Sequence, residues 1–198
     1  GALRWSHLMA PTLVGSDVAQ LAAFAAEQGD VVLKPLGGRA GLGVVRSHGE
    51  APGLKALLEL VTSQQQIPVM VQAFLPAVTA GDKRILLVDG EPLGAVNRRP
   101  AAGEFRSNLH SGGSGIPIKL KASERAMAVK AAKALGLKVA GVDMLQSARG
   151  PLIMEVNSSP GLRGVESVTG IDVAGHIIDY IATNLGQSKA KAKDKIGA

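Results

Sequence analysis

The chain has 198 residues with a hydrophobic fraction of 46%, a formal net charge of +6 and no cysteine. This length allows one domain or two small ones, and the lack of cysteine excludes disulfides, thiolate catalysis and cysteine-ligated zinc. No apolar run reaches the roughly 20 residues of a membrane span and no signal peptide is visible, so we expect a cytoplasmic protein without membrane partners.

Half of the net charge lies in the segment SKAKAKDKIGA at the end of the sequence, which holds four lysines and one aspartate. We predict a basic, flexible tail over 187–198. The remaining positive charge is modest and suits anionic small ligands. Nucleic acid is a disfavoured partner, because five aromatic residues offer little surface for stacking bases.

In the first half of the chain, the spacing of apolar residues predicts a helix that Ser16 caps and Gly29 ends. A glycine loop, GGRAGLG, follows over 37–43 and lies between two predicted strands. The other predicted elements of this half are strands over 31–36, 44–46 and 69–75 and a helix over 54–61.

The second half begins with a hairpin whose two strands, KRILLV and PLGAVNR, flank the turn signal Asp89-Gly90. A helix capped by Ser123 and ended by Gly136 follows. Two strands, VAGVDML and PLIMEVN, then flank Arg149-Gly150, and a last helix extends over 171–185. Glycine-rich hairpins mixed with helices favour an α+β fold over alternating parallel units.

The glycine loop directly follows Lys34, which lies inside a predicted strand. Glycines allow backbone N–H groups to approach a phosphate closely, and the lysine adds a positive charge. Because the loop connects two strands, it is neither a Walker loop nor a dinucleotide-binding fingerprint. A phosphate-binding loop and a flexible hairpin tip both remain open on these residues alone.

A second polar glycine loop, NLHSGGSG, covers 108–115. Arg106 and Asn108, at its start, share a face if FRSNL is a strand. These residues and Arg98 lie beside glycines and turns, where a charged ligand can reach them. Ordinary surface charge is the alternative explanation for each of them.

The strands on either side of Arg149-Gly150 carry a group of oxygen ligands. Glu155 and Asn157 alternate onto one face of the second strand, and pairing of the two strands would bring Asp143 near them. Two carboxylates and a carboxamide suit Mg²⁺, which shares phosphate oxygens and keeps bound water. An exposed sheet face with incidental acids is the alternative.

Six segments in order, VVLKP-GGRAGLG, VQAFLP, DKRILLVDGEP, FRSNLHSGG, AGVDML and MEVNSSPG, resemble the ATP-grasp carboxylate–amine ligases over nearly all of 8–185. The resemblance implies two α+β subdomains, 1–76 and 77–186, with mainly antiparallel sheets that enclose a nucleotide cleft. It also implies a reaction in which ATP phosphorylates a carboxylate and an amine attacks the acyl phosphate.

The resemblance assigns most of the polar residues to ATP. Lys34 would contact the α- or β-phosphate, Asp82 would face the ribose, and 72–75 would pair with adenine through backbone groups. Arg106 and Asn108 are the implied catalytic residues, with Arg106 stabilising the transferring phosphoryl group. The implied nucleotide-binding residues are Lys34, Gly38, Ala40, Gly41, Gln72, Ala73, Phe74, Leu75, Asp82, Arg106, Ser107 and Asn108.

The resemblance implies Mg²⁺ bridging the ATP phosphates, with two ions bound and Mn²⁺ as a substitute. Its implied ligands are Asp143, Glu155 and Asn157. The implied contacts to the acceptor substrate are Ser159 and Gly161. Arginine suits a bidentate grip on a carboxylate, so we also predict that Arg163, and Arg98 or Arg99, hold a carboxylate of the substrate.

Two subfamilies fit different segments. DKRILLVDGEPLGAVNR is similar to prokaryotic glutathione synthetases. GEFRSNLHSGG and AGVDMLQSARGPLIMEVNSSPGLRGVESVTGIDVAG resemble the RimK family, which adds glutamate to the C-terminus of a ribosomal protein or makes glutamate chains. The RimK-like stretch is longer, so we predict glutamate ligation to a protein or peptide. A glutathione synthetase-like ligase and a non-catalytic ATP-binding fragment remain alternatives.

Both subfamilies carry a preceding domain of about a hundred residues, within normal domain size. They also have a nucleotide-binding lysine just before the segment that matches ALRWSHLMAPTLV. We therefore expect this chain to be the ATP-grasp portion of a longer enzyme, with the N-terminal substrate domain as a partner, and we expect a homo-oligomer.

Overall fold

The structure is a computed structural model that describes residues 6–37, 41–107 and 112–193. Within these ranges the chain forms nine strands and five α-helices, which confirms the α+β class. The strands are β1 (Thr12–Gly15), β2 (Asp30–Pro35), β3 (Val45–His48), β4 (Val69–Ala73), β5 (Asp82–Val88), β6 (Glu91–Arg99), β7 (Ser114–Pro117), β8 (Val139–Ser147) and β9 (Gly150–Asn157). The α-helices are α1 (Val18–Gln28), α2 (Leu54–Val61), α3 (Ala122–Ala134), α4 (Arg163–Thr169) and α5 (Val173–Lys193).

The chain divides into two compact units, each made of three segments. One division falls after residue 80, and the subdomain bounds 1–76 and 77–186 stay predictions. The sequence did not predict that two later segments, 100–113 and 145–154, would group with the first unit. The first unit comprises 1–80, 100–113 and 145–154, and the second comprises 81–99, 114–144 and 155–198.

The first unit contains a four-stranded sheet in the order β1-β4-β2-β3, and all of its strand pairs are antiparallel. Side chains from α1, α2 and alternate strand positions form its core, in agreement with the apolar spacing of the sequence. The fully buried core residues are Val18, Leu21, Ala25, Val31, Leu33, Leu54, Leu58, Val69 and Val71.

The start of α1 differs from the sequence prediction. Asp17, not Ser16, is the N-cap, and its side chain accepts a hydrogen bond of 2.9 Å from the Gln20 amide. An aspartate one residue further on satisfies a free amide of the first turn equally well. Gly29 ends the helix as predicted, with a φ of 75° that favours glycine.

The glycine loop lies between two paired strands, as the sequence predicted. β2 and β3 form an antiparallel hairpin in which Leu33 is opposite Val45. The sequence left open whether FRSNL, over 105–109, is a strand, and residues 105–107 form none. Residues 108–111 lie outside the described residues, so Arg106 and Asn108 are not shown to share a strand face.

The second unit is built around a sheet in the order β7-β6-β5-β8-β9. The predicted β5–β6 hairpin is confirmed, and Asp89 and Gly90 have positive φ values of 49° and 82° at its turn. The predicted cap of α3 is wrong. The N-cap residue is Lys121, and the Glu124 carboxylate accepts a hydrogen bond of 3.1 Å from the Lys121 amide.

Three elements extend beyond those that the sequence analysis predicted. β7 begins inside the polar glycine loop predicted over 108–115, and α4 lies in a stretch for which the sequence analysis gave no element. α5 continues to Lys193, so residues 187–193 of the predicted flexible tail are helical. Among the described residues, no helix combines the length and apolar character needed to cross a membrane.

Candidate functional site

Lys34 is held on the face of the first-unit sheet opposite the α1–α2 core. Its ammonium group donates a hydrogen bond of 2.7 Å to Gln72 Oε1, and the Gln72 amide donates one of 2.7 Å to Thr12 Oγ1. Gln72 is buried, with 4% of its surface exposed, whereas Lys34 is half-buried. The predicted phosphate-binding lysine therefore has a fixed position in the sheet.

Several backbone groups of the predicted adenine connector, 72–75, are hydrogen-bonded to other parts of the protein. The amide of Ala73 donates to Pro11 O at 2.9 Å, and the amide of Phe74 donates to Asp30 O at 2.8 Å. The carbonyl of Leu75 accepts from the Val78 amide at 3.0 Å. An adenine base that pairs with the backbone of this connector would have to bind the backbone groups that these bonds leave free.

Aromatic and cationic groups surround Phe74. Its ring meets Phe105 edge to face with centroids 6.3 Å apart, and the Arg46 guanidinium lies 4.0 Å above its centroid. Both arrangements are favourable for an aromatic ring. The contact with Phe105 joins the predicted adenine connector to the segment that carries Arg106. Both segments belong to the first unit.

Arg106 forms an ion pair with Glu104 and donates from Nη1 to the Gly41 carbonyl at 3.1 Å. This hydrogen bond from Arg106 lowers the pKa of the Glu104 carboxyl. Gly41 has a φ of 73°, which a residue with a side chain rarely adopts. The predicted phosphoryl-stabilising arginine is therefore in direct contact with Gly41 of the glycine loop.

Ser107 is buried and its hydroxyl oxygen has no hydrogen-bond partner among the described residues. Three other predicted nucleotide-binding positions, Gly38, Ala40 and Asn108, lie outside the described residues.

In the second unit, four charged side chains, three of them buried, form one cluster on a face of the sheet. Asp82 lies opposite Arg98 in the β5–β6 pair, and Arg84 lies opposite Asp143 in the β5–β8 pair. Alternation on β5 places Asp82 and Arg84 on the same face. Cross-strand neighbours thus bring two aspartates and two arginines together.

Arg98 bridges the two carboxylates of this cluster. Its Nε lies 2.6 Å from Asp82 Oδ1 and its Nη2 lies 3.0 Å from Asp143 Oδ2. Arg84 adds a two-pronged pair to Asp143, with Nε 2.6 Å from Oδ1 and Nη2 2.5 Å from Oδ2. Such paired N–H···O contacts are among the stronger hydrogen bonds in proteins.

Burial and the neighbouring charges together shift the pKa values of Asp82 and Arg98. Desolvation raises the pKa of Asp82, and the attraction of Arg98 offsets this only in part. Burial alone would lower the pKa of Arg98, but Asp143 and Asp82 outweigh it and raise that pKa. The arginine is thus held in its charged form between two acids.

The predicted metal ligands differ in how much of each residue is exposed to solvent. Glu155 is exposed, Asn157 is half-buried, and the side-chain nitrogen of Asn157 is buried without a hydrogen-bond partner among the described residues. Asp143 is buried and engaged by two arginines. β8 and β9 are neighbours, as predicted. Across the described part of the chain, no cluster of three or more His, Cys, Asp and Glu is arranged to hold a metal.

These three residues fit Mg²⁺ by donor chemistry, because each offers hard oxygen atoms. A carboxylate has about four lone-pair positions, and the arginines contribute three donors to Asp143. By this count, one lone-pair position of the Asp143 carboxylate is left for a metal ion. Asn157 has a carboxamide whose oxygen suits the same ion.

The turn after β9 packs back on β8. A side chain at Gly141 would place its Cβ 2.6 Å from Pro160 Cβ, so only glycine permits this approach. Ser159 and Gly161, the predicted acceptor contacts beside Pro160, are exposed. Gly141 and Asp143 share a face of β8, which places this turn over the face that carries the buried cluster.

Sequence reasoning missed three participants. Arg84 was not assigned to the site, although its spacing from Asp82 places both on one strand face. Glu104 and Thr12 were not singled out. Glu104 precedes Arg106 by two residues in a loop, and the partner of Thr12 is distant in sequence. No local pattern indicates either contact.

The two antiparallel sheets with their helices have the architecture of an ATP-grasp fold. A solved structure described as the ATP-grasp ligase PsnB complexed with minimal precursor, Mg and ADP is similar, with a TM-score of 0.70 and 26% identity. That match covers 91% of this chain and 55% of PsnB. The chain also matches the family described as "Prokaryotic glutathione synthetase, ATP-grasp domain" over residues 1–172. It belongs to that family.

Curated relatives carry two names. A glutathione synthetase of Prochlorococcus marinus (strain MIT 9313) is 57% identical over 191 residues, which is 94% of this chain and 61% of the relative. A probable alpha-L-glutamate ligase of Aliivibrio salmonicida is 46% identical over 169 residues, which is 84% of this chain and 55% of the relative. The chain thus spans less than two thirds of the length of each.

Proposed function

We propose that the chain is the nucleotide-binding part of an ATP-dependent carboxylate–amine ligase, which forms an amide bond through an acyl phosphate. The family match over residues 1–172 carries this proposal, because it includes every predicted site residue and extends into both units. The contacts of Lys34, Arg106 and Asp143 add support, since each of these charged groups has a fixed orientation.

The first unit would bind the phosphates of ATP. The Lys34 ammonium is a compact positive charge on a sheet face, and Arg106 presents a planar fork that matches phosphate oxygens. Glu104 keeps that fork oriented before nucleotide arrives, and a phosphate would replace part of this ion pair. Gly38, Ala40, Ser107 and Asn108 remain predicted contacts.

The second unit would hold Mg²⁺ through Glu155, Asn157 and Asp143. The bound ion would neutralise phosphate charge during phosphoryl transfer. The PsnB relative, described in complex with Mg and ADP, supports this ion. Substitution by Mn²⁺ and a second ion remain predictions.

Arg98 was predicted to grip the acceptor substrate. Its contacts instead favour a role in holding Asp82 and Asp143, because both ends of its guanidinium are engaged with buried carboxylates. Ser159 and Gly161 remain the proposed acceptor contacts.

For the acceptor, we place glutathione-type chemistry first, in which glycine is joined to γ-glutamylcysteine. The higher identity to the Prochlorococcus glutathione synthetase supports this order. Glutamate ligation, the choice that the motifs favoured, stays the second candidate, and the identity to the Aliivibrio ligase supports it. The homo-oligomer, the partner N-terminal domain and the cytoplasmic location stay predictions.

Calorimetry with ATP tests the nucleotide and metal assignments. The wild-type chain should bind ATP with Mg²⁺ and much more weakly in EDTA, and Glu155→Gln should weaken Mg²⁺-dependent binding by at least about tenfold. Glu59→Gln, an exposed change on α2, is the matched control and should leave binding unchanged. Equal affinity of wild type and Glu155→Gln for ATP with Mg²⁺ would rule out the metal assignment.

Release of ADP tests the acceptor. The chain, joined to the N-terminal part of the Prochlorococcus relative, is supplied with γ-glutamylcysteine and glycine or with glutamate and a glutamate-ended peptide. Release with the first pair alone supports glutathione-type chemistry, and release with the second pair alone reverses the order.

A further inference from the structure

Gln72 occupies a central position in the first-unit sheet. It lies opposite Thr12 on β1 and opposite Val32 on β2. Residues directly opposite each other in a sheet share a face, and Lys34 shares the face of Val32 because it is two residues further along β2. Thr12, Gln72 and Lys34 therefore line one face of three adjacent strands.

The hydrogen bonds on this face run in one direction. Lys34 Nζ donates to Gln72 Oε1, Gln72 Nε2 donates to Thr12 Oγ1, and Thr12 Oγ1 donates to the Ala10 carbonyl at 2.8 Å. An ammonium group has only donors, so it requires the amide oxygen of Gln72. That requirement turns the amide nitrogen toward Thr12, and the backbone carbonyl ends the chain of bonds.

Burial makes this arrangement rigid. A buried carboxamide is costly unless both of its ends are hydrogen-bonded, and Gln72 has a partner at each end. A lysine side chain has four flexible carbons and loses its mobility only when its ammonium is held. Gln72 provides a buried, oriented acceptor for that group.

We propose that Gln72 and Thr12 are positioning residues that hold the Lys34 ammonium where a nucleotide phosphate meets it. The inference rests on the proposed function and adds a side-chain role to the connector. The sequence assigned Gln72 to adenine through its backbone. Its side chain serves the phosphates in addition.

A positioning role and a structural role for Gln72 predict different effects on ligand affinity. Loss of Gln72 should weaken ligands that carry phosphates and should leave a ligand without phosphates unaffected. It should also have no further effect once Lys34 is absent, because residues that act through one another are not additive. A residue that only stabilised the sheet would weaken both kinds of ligand equally, in either background.

Calorimetry with ADP plus Mg²⁺, and separately with adenosine, tests this. Gln72→Leu should weaken ADP binding roughly tenfold and adenosine binding less than about twofold. Thr12→Val should weaken ADP binding roughly threefold, and Thr12→Ser, which keeps the hydroxyl, should restore it. In a Lys34→Met background, Gln72→Leu should change ADP affinity by less than about twofold.

Gln146→Leu is the matched control, because Gln146 is an exposed glutamine on a strand, and it should bind both ligands like the wild type. If Gln72→Leu fails to fold, the Thr12→Val and Thr12→Ser pair decides the result. If Lys34→Met weakens ADP binding but Gln72→Leu has no effect, or the same effect in both backgrounds, the positioning role is wrong and the proposed function stands. If the wild type binds no ADP, both are wrong.

Discussion

Arg98 shows how much the role of a charged residue depends on its neighbours. The same side chain is a plausible substrate contact in the sequence and a bridge between two buried carboxylates in the structure. A buried acid without its cation is strongly destabilising, since removing one partner of a buried pair costs about 3–5 kcal/mol. Asp82 therefore depends on Arg98, whereas Asp143 also has its pair with Arg84.

Arg98→Met should lower the free energy of unfolding by about 3–5 kcal/mol at neutral pH, because Asp82 loses its cation. The neighbouring Arg99→Met is the matched control, since Arg99 is exposed and its loss should change stability by less than about 0.5 kcal/mol. Urea unfolding of both variants measures the difference. Equal losses of unfolding free energy in the two variants would show that the ion pairs of Arg98 with Asp82 and Asp143 do not stabilise the fold.

The pH dependence of the Arg98→Met loss adds a second measurement. Burial already raises the pKa of Asp82, and removal of Arg98 should raise it further. A protonated Asp82 needs no cation, so the difference between Arg98→Met and wild type should shrink as the pH falls below neutral toward the raised pKa of Asp82.

At the scale of elements, Gly141 determines how the turn after β9 packs. The turn carries Ser159 and Gly161, and Pro160 lies against the position where a Cβ on Gly141 would be. Any side chain at 141 must displace either Pro160 or β8.

Gly141→Ala should destabilise the chain by about 1–3 kcal/mol, as overpacking does, and should displace the turn. Gly15→Ala is the matched control, because Gly15 is also a strand glycine, and a Cβ there would meet nothing within 4 Å. Urea unfolding gives the stability change, and NMR shifts of 158–161 report the turn. A Gly141→Ala variant as stable as Gly15→Ala would contradict the close packing.

Glu124 joins β5 to the first turn of α3. Its carboxylate accepts hydrogen bonds from the Lys83 ammonium and the Lys121 amide, and it is almost completely buried. Burial by itself would raise the pKa of Glu124, but these two bonds outweigh it and lower the pKa from its ordinary value of 4.5. The folded state therefore prefers the charged form.

Glu124→Gln should lower the free energy of unfolding by about 1–3 kcal/mol at pH 7. The stabilisation from the carboxylate is complete above its unfolded pKa of 4.5 and is lost as the pH falls through the lower folded pKa. The two proteins should therefore converge in stability below pH 4.5. Glu59→Gln, on an exposed position, should show no such convergence in parallel urea titrations.

At the scale of the whole molecule, the proposed ligands should affect the stability of the folded chain. Nucleotide contacts are proposed mainly in the first unit and metal contacts in the second. A ligand that binds only the folded state stabilises it in proportion to the logarithm of its concentration.

ATP with Mg²⁺ at about one hundred times its dissociation constant should therefore raise the free energy of unfolding by about 2.7 kcal/mol. Thermal unfolding with ATP and Mg²⁺, ATP and EDTA, and Mg²⁺ alone measures this effect. The first condition should give the largest shift in Tm. An equal shift with ATP in EDTA would mean that the metal takes no part in nucleotide binding.

The sequence alone determined the class of fold, most element positions and the family resemblance. These features depend on local periodicity and turn chemistry, as in the spacing of apolar residues in α2 or the Asp89-Gly90 turn, and adjacent residues carry that information. Local signals do not choose among adjacent caps, which is why Asp17 rather than Ser16 starts α1.

Only the tertiary structure decided which polar groups meet. The contacts of Lys34 with Gln72 and of Asp143 with Arg84 join residues separated by 38 and 59 positions. Strand register selects these pairs, and register is set by the packing of whole sheets rather than by any short segment. The sequence therefore named most of the charged residues of the candidate site, while the fold decided which of them hold one another in place.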